Sequence, residues 1–265
     1  MTEEKNLIKA VIFDMDGVLI NSMPFWKEGL KEVVKKNGSQ FKEKLWQELK
    51  GGRVDEVISS WHKVIPLKNI SLKKAEEEIV NKVVERIRQK GELKKGARKI
   101  LDFLEKKELK IALASSSYKK VVMAVLEKFG LKKYFQVIHS SEEDNYGKPH
   151  PEIYLKTLKE LEVDSVNCFC FEDSENGLIA ARAARIKVVA VPASEDRDDK
   201  VFSLAEFKLN SLNEFNEKIW QKLNHPEPKK EPTNRKLFQV IGFNLAKISK
   251  GLDKYIKKSD KERKK

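Results

Sequence analysis

The stretch AVIFDMDGVLINS, residues 10–22, places two aspartates directly after an apolar, β-branched run. The run has the composition of a buried strand. An ionised carboxylate resists leaving water unless a positive charge meets it, so Asp14 and Asp16 imply a bound cation. A calcium loop of the EF-hand type does not fit, because Gly17 comes at the fourth position instead of the sixth, and Phe25 stands where the bidentate glutamate is needed.

Four more apolar, β-branched runs follow this first strand. They are LKIALA (109–114), FQVIHS (135–140), VNCFCF (166–171) and KVVAVP (187–192). Helical stretches of about a dozen residues separate these runs from one another. Strands that alternate with helices predict a parallel α/β sheet.

The chain between the first and second runs has no convincing strand and reads as four helices. The predicted helices are 24–36, 41–49, 54–64 and 71–89. An insertion of this length after the first strand predicts a helical cap domain, residues 23–91, over the carboxyl end of the sheet. The sheet domain then comprises residues 1–22 and 92–224.

The charge of the chain is concentrated near its C-terminus. Charged residues make up 36% and hydrophobic residues 40% of the 265 residues, which is typical of a globular protein. Of the net charge of +13, residues 225–265 carry 8. This segment reads as a linker and a basic amphipathic helix that could contact an anionic membrane surface or a partner helix. It lacks a pattern for reading bases, so no specific nucleic-acid recognition is expected.

Two further features concern location and redox state. No apolar run approaches the ~18 residues of a membrane span, and the N-terminus lacks the features of a signal peptide, so a cytoplasmic location is expected. Cys168 and Cys170 alternate along one predicted strand and share a face. We interpret them as buried, reduced thiols, since two cysteines without a histidine pattern favour neither a disulfide framework nor a zinc site.

The other strand ends carry groups that complement the first acid pair. Ser115 to Ser117 offer hydroxyl and N–H groups at a helix start, which suits an anion and also suits a helix cap. Lys148 lies between a glycine and a proline, and Glu172 and Asp173 end the fourth run. In a parallel sheet these ends share the edge where ligands bind. Acids for a metal, hydroxyls for an anion and a lysine are thus predicted to meet.

Four motifs together resemble a known family. DMDGVLINS, ASSS, GKPHP and FEDSENG, in this order, are similar to the motifs of the haloacid dehalogenase superfamily of phosphohydrolases, in the branch with β-phosphoglucomutase and small-metabolite phosphatases. The match covers roughly residues 8–220, and the set is specific where any one motif would be weak. The resemblance implies a Rossmann-like parallel-sheet core with an inserted helical cap.

The resemblance also implies a metal cofactor. Mg²⁺ would be held by Asp14, the backbone carbonyl of Asp16, and Asp173, with waters completing an octahedron of oxygen ligands. Glu172 is either a direct ligand or a hydrogen-bond partner of the ligands.

Catalytic roles follow from the same resemblance. Asp14 would attack phosphorus to form an aspartyl-phosphate, and Asp16 would act as general acid and then as general base. Ser115, Ser116 and Lys148 would bind the phosphate. The expected activity is that of a phosphoric monoester hydrolase acting on small phosphorylated metabolites, with sugar phosphates as the expected substrates.

Two residues bear on the reaction and the substrate. A hexose-phosphate mutase of the β-phosphoglucomutase type is the alternative, but Trp26 stands where the sugar phosphomutases carry a histidine, which favours hydrolysis. The segment LKGGRVDEV, residues 49–57, resembles the substrate-specificity loop of the family. Its Arg53 is a candidate substrate contact, or a surface arginine at a helix start.

Overall fold

A computed structural model describes residues 7–225 of the chain. Within them, six strands form one parallel sheet in the order β3-β2-β1-β4-β5-β6. The strands are β1 (Ala10–Phe13), β2 (Lys110–Ser115), β3 (Val137–Ser140), β4 (Cys168–Glu172), β5 (Lys187–Ala190) and β6 (Phe207–Lys208). The predicted parallel α/β fold is confirmed, and the two-residue β6 is an addition to the five predicted strands.

The helices fall into two groups along the chain. Four lie between β1 and β2: α1 (Met23–Lys36), α2 (Glu43–Leu49), α3 (Val54–Val64) and α4 (Leu72–Lys90). A fifth, α5 (Ala97–Glu105), lies directly before β2, and the others follow β2: α6 (Lys119–Phe129), α7 (Glu152–Leu161), α8 (Glu175–Ala183) and α9 (Glu217–Asn224). The first four agree with the predicted helices to within two residues at each end. The division into a cap domain, 23–91, and a sheet domain stays a proposal.

Strand β1 shows how both faces of the sheet are covered. Its four residues are fully buried, with Val11 and Phe13 in one hydrophobic cluster and Ala10 and Ile12 in the other. Side chains alternate across a strand, so a run that is apolar at every position requires helices on both faces. The position of β1 between β2 and β4 meets that requirement.

The two cysteines lie on the second of these faces. Cys168 and Cys170 are buried in β4, in the same cluster as Ile12, and both are free thiols. Burial raises the pKa of both thiols above its usual range. They therefore act as small apolar groups of the core.

Helix α4 joins the helical insertion to the sheet. Ser71 caps its first turn by accepting a hydrogen bond from the Lys74 amide at 3.3 Å. Its apolar face packs on α1 and on α6, the helix that follows β2. The buried residues of this face are Ala75, Ile79, Val80, Val83, Val84 and Ile87. The insertion and one face of the sheet consequently share a continuous hydrophobic core.

No helix within residues 7–225 combines the length and apolar character that a bilayer crossing requires. The predicted tail helix and its contact with a membrane surface or partner helix fall beyond His225, outside the described residues, and stay predictions.

Candidate active site

Three neighbouring strands bring predicted site residues to one edge of the sheet. Asp14 follows β1 directly, Ser115 ends β2 and Glu172 ends β4. Strand β1 pairs in parallel with both neighbours, so their carboxyl ends meet. The amide of Asp14 still donates to the carbonyl of Phe171 at 3.0 Å, which fixes its backbone as an extension of the strand.

Lys148 reaches this edge from the loop between β3 and α7. Its ammonium group donates to Asp14 Oδ1 at 2.8 Å, to Glu172 Oε1 at 2.6 Å and to the carbonyl of Ala114 at 3.3 Å. The residue is buried, so these bonds form away from bulk water. Lys148 thus connects the carboxylates at the ends of β1 and β4.

Glu172 is held from several sides. It is fully buried and also accepts hydrogen bonds from Tyr154 Oη and from Ser174 Oγ, the latter at 3.4 Å. A Cβ added to Gly177 would lie 2.1 Å from the Glu172 carboxyl group, so only glycine fits there. This packing orients Glu172 toward Lys148. Tyr154, on α7, was not predicted, since nothing in its sequence setting marks it.

Acidic groups exceed basic ones at this edge. Carboxylate oxygens of Asp14, Glu172 and Asp173 lie within 4.8 Å of one another, and Lys148 supplies one positive charge to the group. Burial raises the pKa of Asp14 to about 7 against the opposing effect of Lys148, and it raises the pKa of Asp173 well above its usual range. A further cation would relieve this excess.

Lys148 itself is charged. Burial alone would lower its pKa, but Asp14 and Glu172 more than offset that effect, so its pKa lies above the usual range. The ammonium group is therefore present at any physiological pH.

The turn after β1 leaves room for Asp173. Gly17 has a φ of +82°, and a Cβ there would lie 1.8 Å from Asp173 Oδ2. A side chain at position 17 would therefore push this carboxylate away from Asp14. The glycine of the DMDG motif is needed both for the turn and for the approach of the acid.

The described hydrogen-bond partners of Asp16 are neutral groups. Its Oδ1 accepts hydrogen bonds from Ser22 Oγ and from the indole Nε1 of Trp26, the latter at 3.2 Å. Its Oδ2 accepts from Ser117 Oγ at 2.6 Å and from Ser115 Oγ at 3.4 Å. Three hydroxyls and one indole therefore orient the carboxylate.

The three serines at the end of β2, residues 115–117, differ in their hydrogen-bond partners. Ser115 Oγ is buried and accepts from the Ser117 amide at 3.1 Å, as a turn-stabilising side chain does. Ser116 Oγ is buried without a hydrogen-bond partner among the described residues, and Ser116 lines the cavity in front of the sheet edge. An anion in that cavity would supply the partner. Ser117, which was predicted with Ser115 and Ser116 to offer groups to an anion, directs its hydroxyl to Asp16 in this structure.

The edge opens into a cavity of about 620 Å³ between the sheet and the helical insertion. Asp14, Asp16, Lys148 and Asp173 form part of its wall. The insertion contributes apolar and basic side chains: Trp26, Lys27, Leu30, Trp46, Lys50, Ile58 and Ile79. The cavity is thus wide enough for a small polar molecule and has charged groups both at the sheet edge and on the helical insertion.

Arg53 is not brought to this cavity. Its guanidinium group is buried and donates to Asp55 Oδ1 at 2.7 Å and to the carbonyls of Ser141 and Asp144 at 3.2 and 2.7 Å. It therefore connects the start of α3 to the loop after β3. A contact with substrate would require the guanidinium to leave these partners, and such a contact stays a prediction.

The comparison with protein families agrees with the site. The model of the haloacid dehalogenase-like hydrolase family matches residues 11–191, from β1 to the end of β5. The chain belongs to this family. The resemblance that the four motifs carry is confirmed, helical insertion included.

Individual relatives narrow the enzyme class. The chain is 35% identical over 214 residues to hexitol phosphatase B of Escherichia coli K12, covering 80% of this chain and 96% of the relative. It is 32% identical over 182 residues to a phosphorylated carbohydrates phosphatase of Thermotoga maritima, covering 68% and 83%. The crystal structure of β-phosphoglucomutase from Clostridium difficile superposes with a TM-score of 0.71 at 26% identity, covering 82% and 97%. The predicted class, a phosphoric monoester hydrolase of the haloacid dehalogenase type, is confirmed.

Proposed function

We propose that the chain is a Mg²⁺-dependent phosphatase that hydrolyses phosphate monoesters of small sugars or sugar alcohols through an aspartyl-phosphate on Asp14. The observation that carries the proposal is the buried Lys148, which binds Asp14 and Glu172 beside an uncompensated third acid, Asp173. The names of the two phosphatases above support the substrate class.

The residues at the edge fit a magnesium ion. Two buried carboxylates and the half-buried Asp173 face one lysine, and hard oxygen ligands are what Mg²⁺ prefers. Asp14 and Asp173, with the backbone carbonyl of Asp16, would hold the ion. Glu172 is engaged by Lys148 and Tyr154, which favours a supporting role over direct ligation. When bound, Mg²⁺ would supply positive charge that offsets the repulsion between Asp14 and a phosphate dianion.

The phosphate site would lie between Lys148 and the serine run. At an effective dielectric constant of 20, a carboxylate and one phosphate charge 4 Å apart repel each other by about 4 kcal/mol. Lys148 opposes this repulsion, and the hydroxyl of Ser116 can donate to a phosphate oxygen, whereas that of Ser115 would first have to leave Asp16. The unpartnered Ser116 Oγ gains its missing hydrogen bond in this way.

The first half of the reaction transfers the phosphoryl group to the protein. A lone pair of the Asp14 carboxylate forms a bond to phosphorus while the bond from phosphorus to the leaving oxygen breaks. The leaving oxygen keeps that electron pair and takes a proton from Asp16, which becomes a carboxylate.

The second half regenerates the enzyme. A water oxygen bonds to phosphorus and gives a proton to Asp16, while the bond from phosphorus to Asp14 breaks and its electron pair returns to Asp14. Inorganic phosphate leaves, and both aspartates are restored. The helical insertion, whose side chains line the cavity, would limit the access of other water molecules.

Hydrolysis is favoured over mutase activity. The two curated relatives described above are phosphatases, and the residue in the position of the mutase histidine is Trp26, a hydrogen-bond donor to Asp16. The mutase alternative is retained as an outcome of the test below.

The test is a phosphate-release assay with Mg²⁺ on sorbitol 6-phosphate, glucose 6-phosphate and phosphoglycolate. We expect release from the first two, abolished by EDTA and by Asp14→Asn, and retained by Asp164→Asn, a matched change at an exposed position. Equal release by wild type and Asp14→Asn would refute the nucleophile. Conversion of β-glucose 1-phosphate to glucose 6-phosphate with a bisphosphate primer, without release of phosphate, would instead establish a mutase.

We also propose three features that the sequence predicts. They are a cytoplasmic location, a substrate contact by Arg53, and the division of the chain into a cap domain and a sheet domain.

A further inference from the structure

We propose that Glu56, on α3 of the helical insertion, is a positioning residue that holds Lys148 in place for phosphate binding. The inference rests on the proposed function, in which Lys148 binds the phosphate group. Glu56 lies in the segment LKGGRVDEV, and the sequence patterns assign it no role. It is not one of the described residues that line the cavity, so it would act on the phosphate site through another residue.

The position of Lys148 depends on the backbone of a loop. Asp14 extends β1 and Glu172 ends β4, so the sheet fixes both acids, whereas Lys148 belongs to the loop 141–151 between β3 and α7. Its ammonium group makes three hydrogen bonds of 2.6–3.3 Å. Misplacement of a functional group by about 1 Å can cost roughly 10²-fold in rate. The contacts that hold this loop therefore bear on phosphate binding.

Two carboxylates hold the loop from different sides. On the side of α7, Glu152 accepts hydrogen bonds from two amides in the middle of the loop, at 3.1 and 3.2 Å. On the side of the helical insertion, Glu56 Oε1 accepts from the amide of Gly147 at 3.0 Å. Gly147 directly precedes Lys148 in the chain. The insertion thus holds the part of the loop that is nearest to the lysine.

The glycine before the lysine leaves room for this contact. A Cβ on Gly147 would lie 2.5 Å from Glu56 Oε2 and 2.9 Å from Glu56 Oε1. Any other residue at position 147 would therefore displace the carboxylate from the amide that it binds. The glycine of the GKPHP motif fits against the helical insertion for this reason.

Arg53 connects the same turn of α3 to the start of the loop. Its Nη1 donates to the carbonyls of Ser141 and Asp144, and its Nη2 lies 3.5 Å from Glu56 Oε1. The guanidinium group therefore binds both the loop and the carboxylate that holds Gly147. Residues 53–56 thus contact the loop at positions 141, 144 and 147.

A role through Lys148 differs from a direct contact with substrate. Lys148 would act on the phosphate group, which all substrates of the site share, so the loss of Glu56 should affect every phosphate monoester alike. A contact with the sugar would affect only substrates that carry one. Inorganic phosphate, which has no leaving group, is therefore the probe that isolates the proposed role.

The test compares Glu56→Ala with the conservative change Glu56→Gln. Glutamine keeps an oxygen that can accept from the Gly147 amide, whereas alanine removes the acceptor. Calorimetric titration with inorganic phosphate in the presence of Mg²⁺ should give a Kd for Glu56→Ala roughly 10-fold above that of the wild type, and a Kd for Glu56→Gln within about threefold. For Glu56→Ala, kcat should fall by roughly 10-fold with both sorbitol 6-phosphate and p-nitrophenyl phosphate.

Glu78→Ala is the matched control. Glu78 is also a half-buried glutamate of the insertion, and its described partner is Lys36, at 3.1 Å, on α1. This variant should keep the wild-type Kd and kcat. Calorimetry gives the number of binding sites separately from Kd, so partial unfolding of a variant would not change its Kd.

Three results would overturn the inference. They are an unchanged phosphate Kd in Glu56→Ala, an equal loss in Glu56→Gln, and a loss of kcat confined to sorbitol 6-phosphate, which would make Glu56 a contact for the sugar. If the wild type binds phosphate and the variants behave as expected, but neither ester is hydrolysed, the proposed function fails and the role of Glu56 in phosphate binding stands. A wild type that binds no phosphate would overturn both.

Hydrogen exchange tests the contact without ligand or turnover. The amide of Gly147 should exchange roughly 10-fold faster in Glu56→Ala than in the wild type, because it loses its acceptor, and at the wild-type rate in Glu78→Ala. Unchanged exchange in Glu56→Ala would show that Glu56 does not hold the loop, and the inference would be overturned.

Discussion

Two aspartates only two residues apart have opposite environments. Asp14 lies among charges, bonded to Lys148 and close to Glu172 and Asp173. Asp16 is surrounded by three hydroxyls and an indole. The charged half of the site suits a carboxylate that must meet a cation and an anion, and the neutral half suits one that must give up and regain a proton.

The path of the chain after β1 produces the difference. Asp14 continues β1 and lies between β2 and β4, whose ends carry Ser115 and Glu172. The chain then turns at Gly17, whose amide donates to the carbonyl of Ile20 at 2.9 Å, and this turn carries Asp16 toward the start of α1. The backbone thus gives two acids that are close in sequence different hydrogen-bond partners.

The largest effect should come from removing the cation of the charged half. Lys148→Met leaves two buried acids, Asp14 and Glu172, without their lysine, so we expect phosphate release to fall at least ~10²-fold. The free energy of unfolding should fall by about 3–5 kcal/mol, the usual cost of removing one partner of a buried pair. Urea unfolding and the phosphate-release assay measure the two effects.

The matched control for this change is Lys107→Met. Lys107 also pairs with an acid, Glu217 at 2.8 Å, but at the surface. A change of less than about 1 kcal/mol is expected there. If the two variants lost equal stability, burial of the acids that Lys148 contacts would have no energetic consequence. The charged half of the site would then resemble an ordinary surface ion pair.

A second test concerns the room left for Asp173. Gly17→Ala places a methyl group 1.8 Å from Asp173 Oδ2, whereas Gly130→Ala has the same positive φ class with nothing within 4 Å. Both should lose about 1–2 kcal/mol to backbone strain. Gly17→Ala should in addition need roughly 10-fold more Mg²⁺ for half-maximal phosphate release. Equal Mg²⁺ requirements in the two variants would argue against Asp173 as a ligand.

Much of this arrangement could be predicted from the sequence, because it is local. The strand runs fix the sheet, and each motif sits at the end of a strand, so Asp14, Ser115 and Asp173 converge by topology alone. The helix bounds of the insertion were also predictable, since amphipathic periodicity and the Ser71 cap are readable along the chain.

Contacts made across the molecule could not be predicted in this way. Tyr154 reaches Glu172 from α7, and Trp26 reaches Asp16 from α1, and neither distance is encoded in a local pattern. Arg53 shows the converse: its motif suggests a substrate contact, but its fork of donors is satisfied by Asp55 and two carbonyls. Side-chain partners depend on packing that a single sequence does not display.

The metal-free protein should become less stable as the pH rises. The pKa of Asp14 is raised to about 7 from an ordinary 3.8, so its protonated form is favoured on folding. This stability is fully present below about pH 4 and is lost as the pH rises through about 7, and Asp173 acts in the same direction. Asp14→Asn should reduce the loss by at least about 1.4 kcal/mol, the free energy of one pKa unit. Thermal unfolding in EDTA at about pH 5 and pH 8 measures it.

The effect of Mg²⁺ on the melting temperature gives a second test of this pH dependence. Bound to the ionised acids, it should raise the melting temperature of the wild type more at pH 8 than at pH 5. A pH-independent effect of EDTA, or an Asp14→Asn variant with the wild-type pH dependence, would contradict the charged character of this half of the site.

The smallest effect should come from the neutral half. Ser117→Ala removes one of four donors to Asp16, the one at 2.6 Å from Oδ2, and leaves the other three in place. Because the lost bond is worth about 0.5–1.5 kcal/mol, kcat for sorbitol 6-phosphate should fall roughly two- to tenfold, with stability nearly unchanged. Ser203→Ala, which removes a hydroxyl that bonds a surface carbonyl, is the control. A loss from Ser117→Ala as large as that from Lys148→Met would show that Asp16 depends on electrostatics as strongly as Asp14 does, and the two halves would no longer differ in kind.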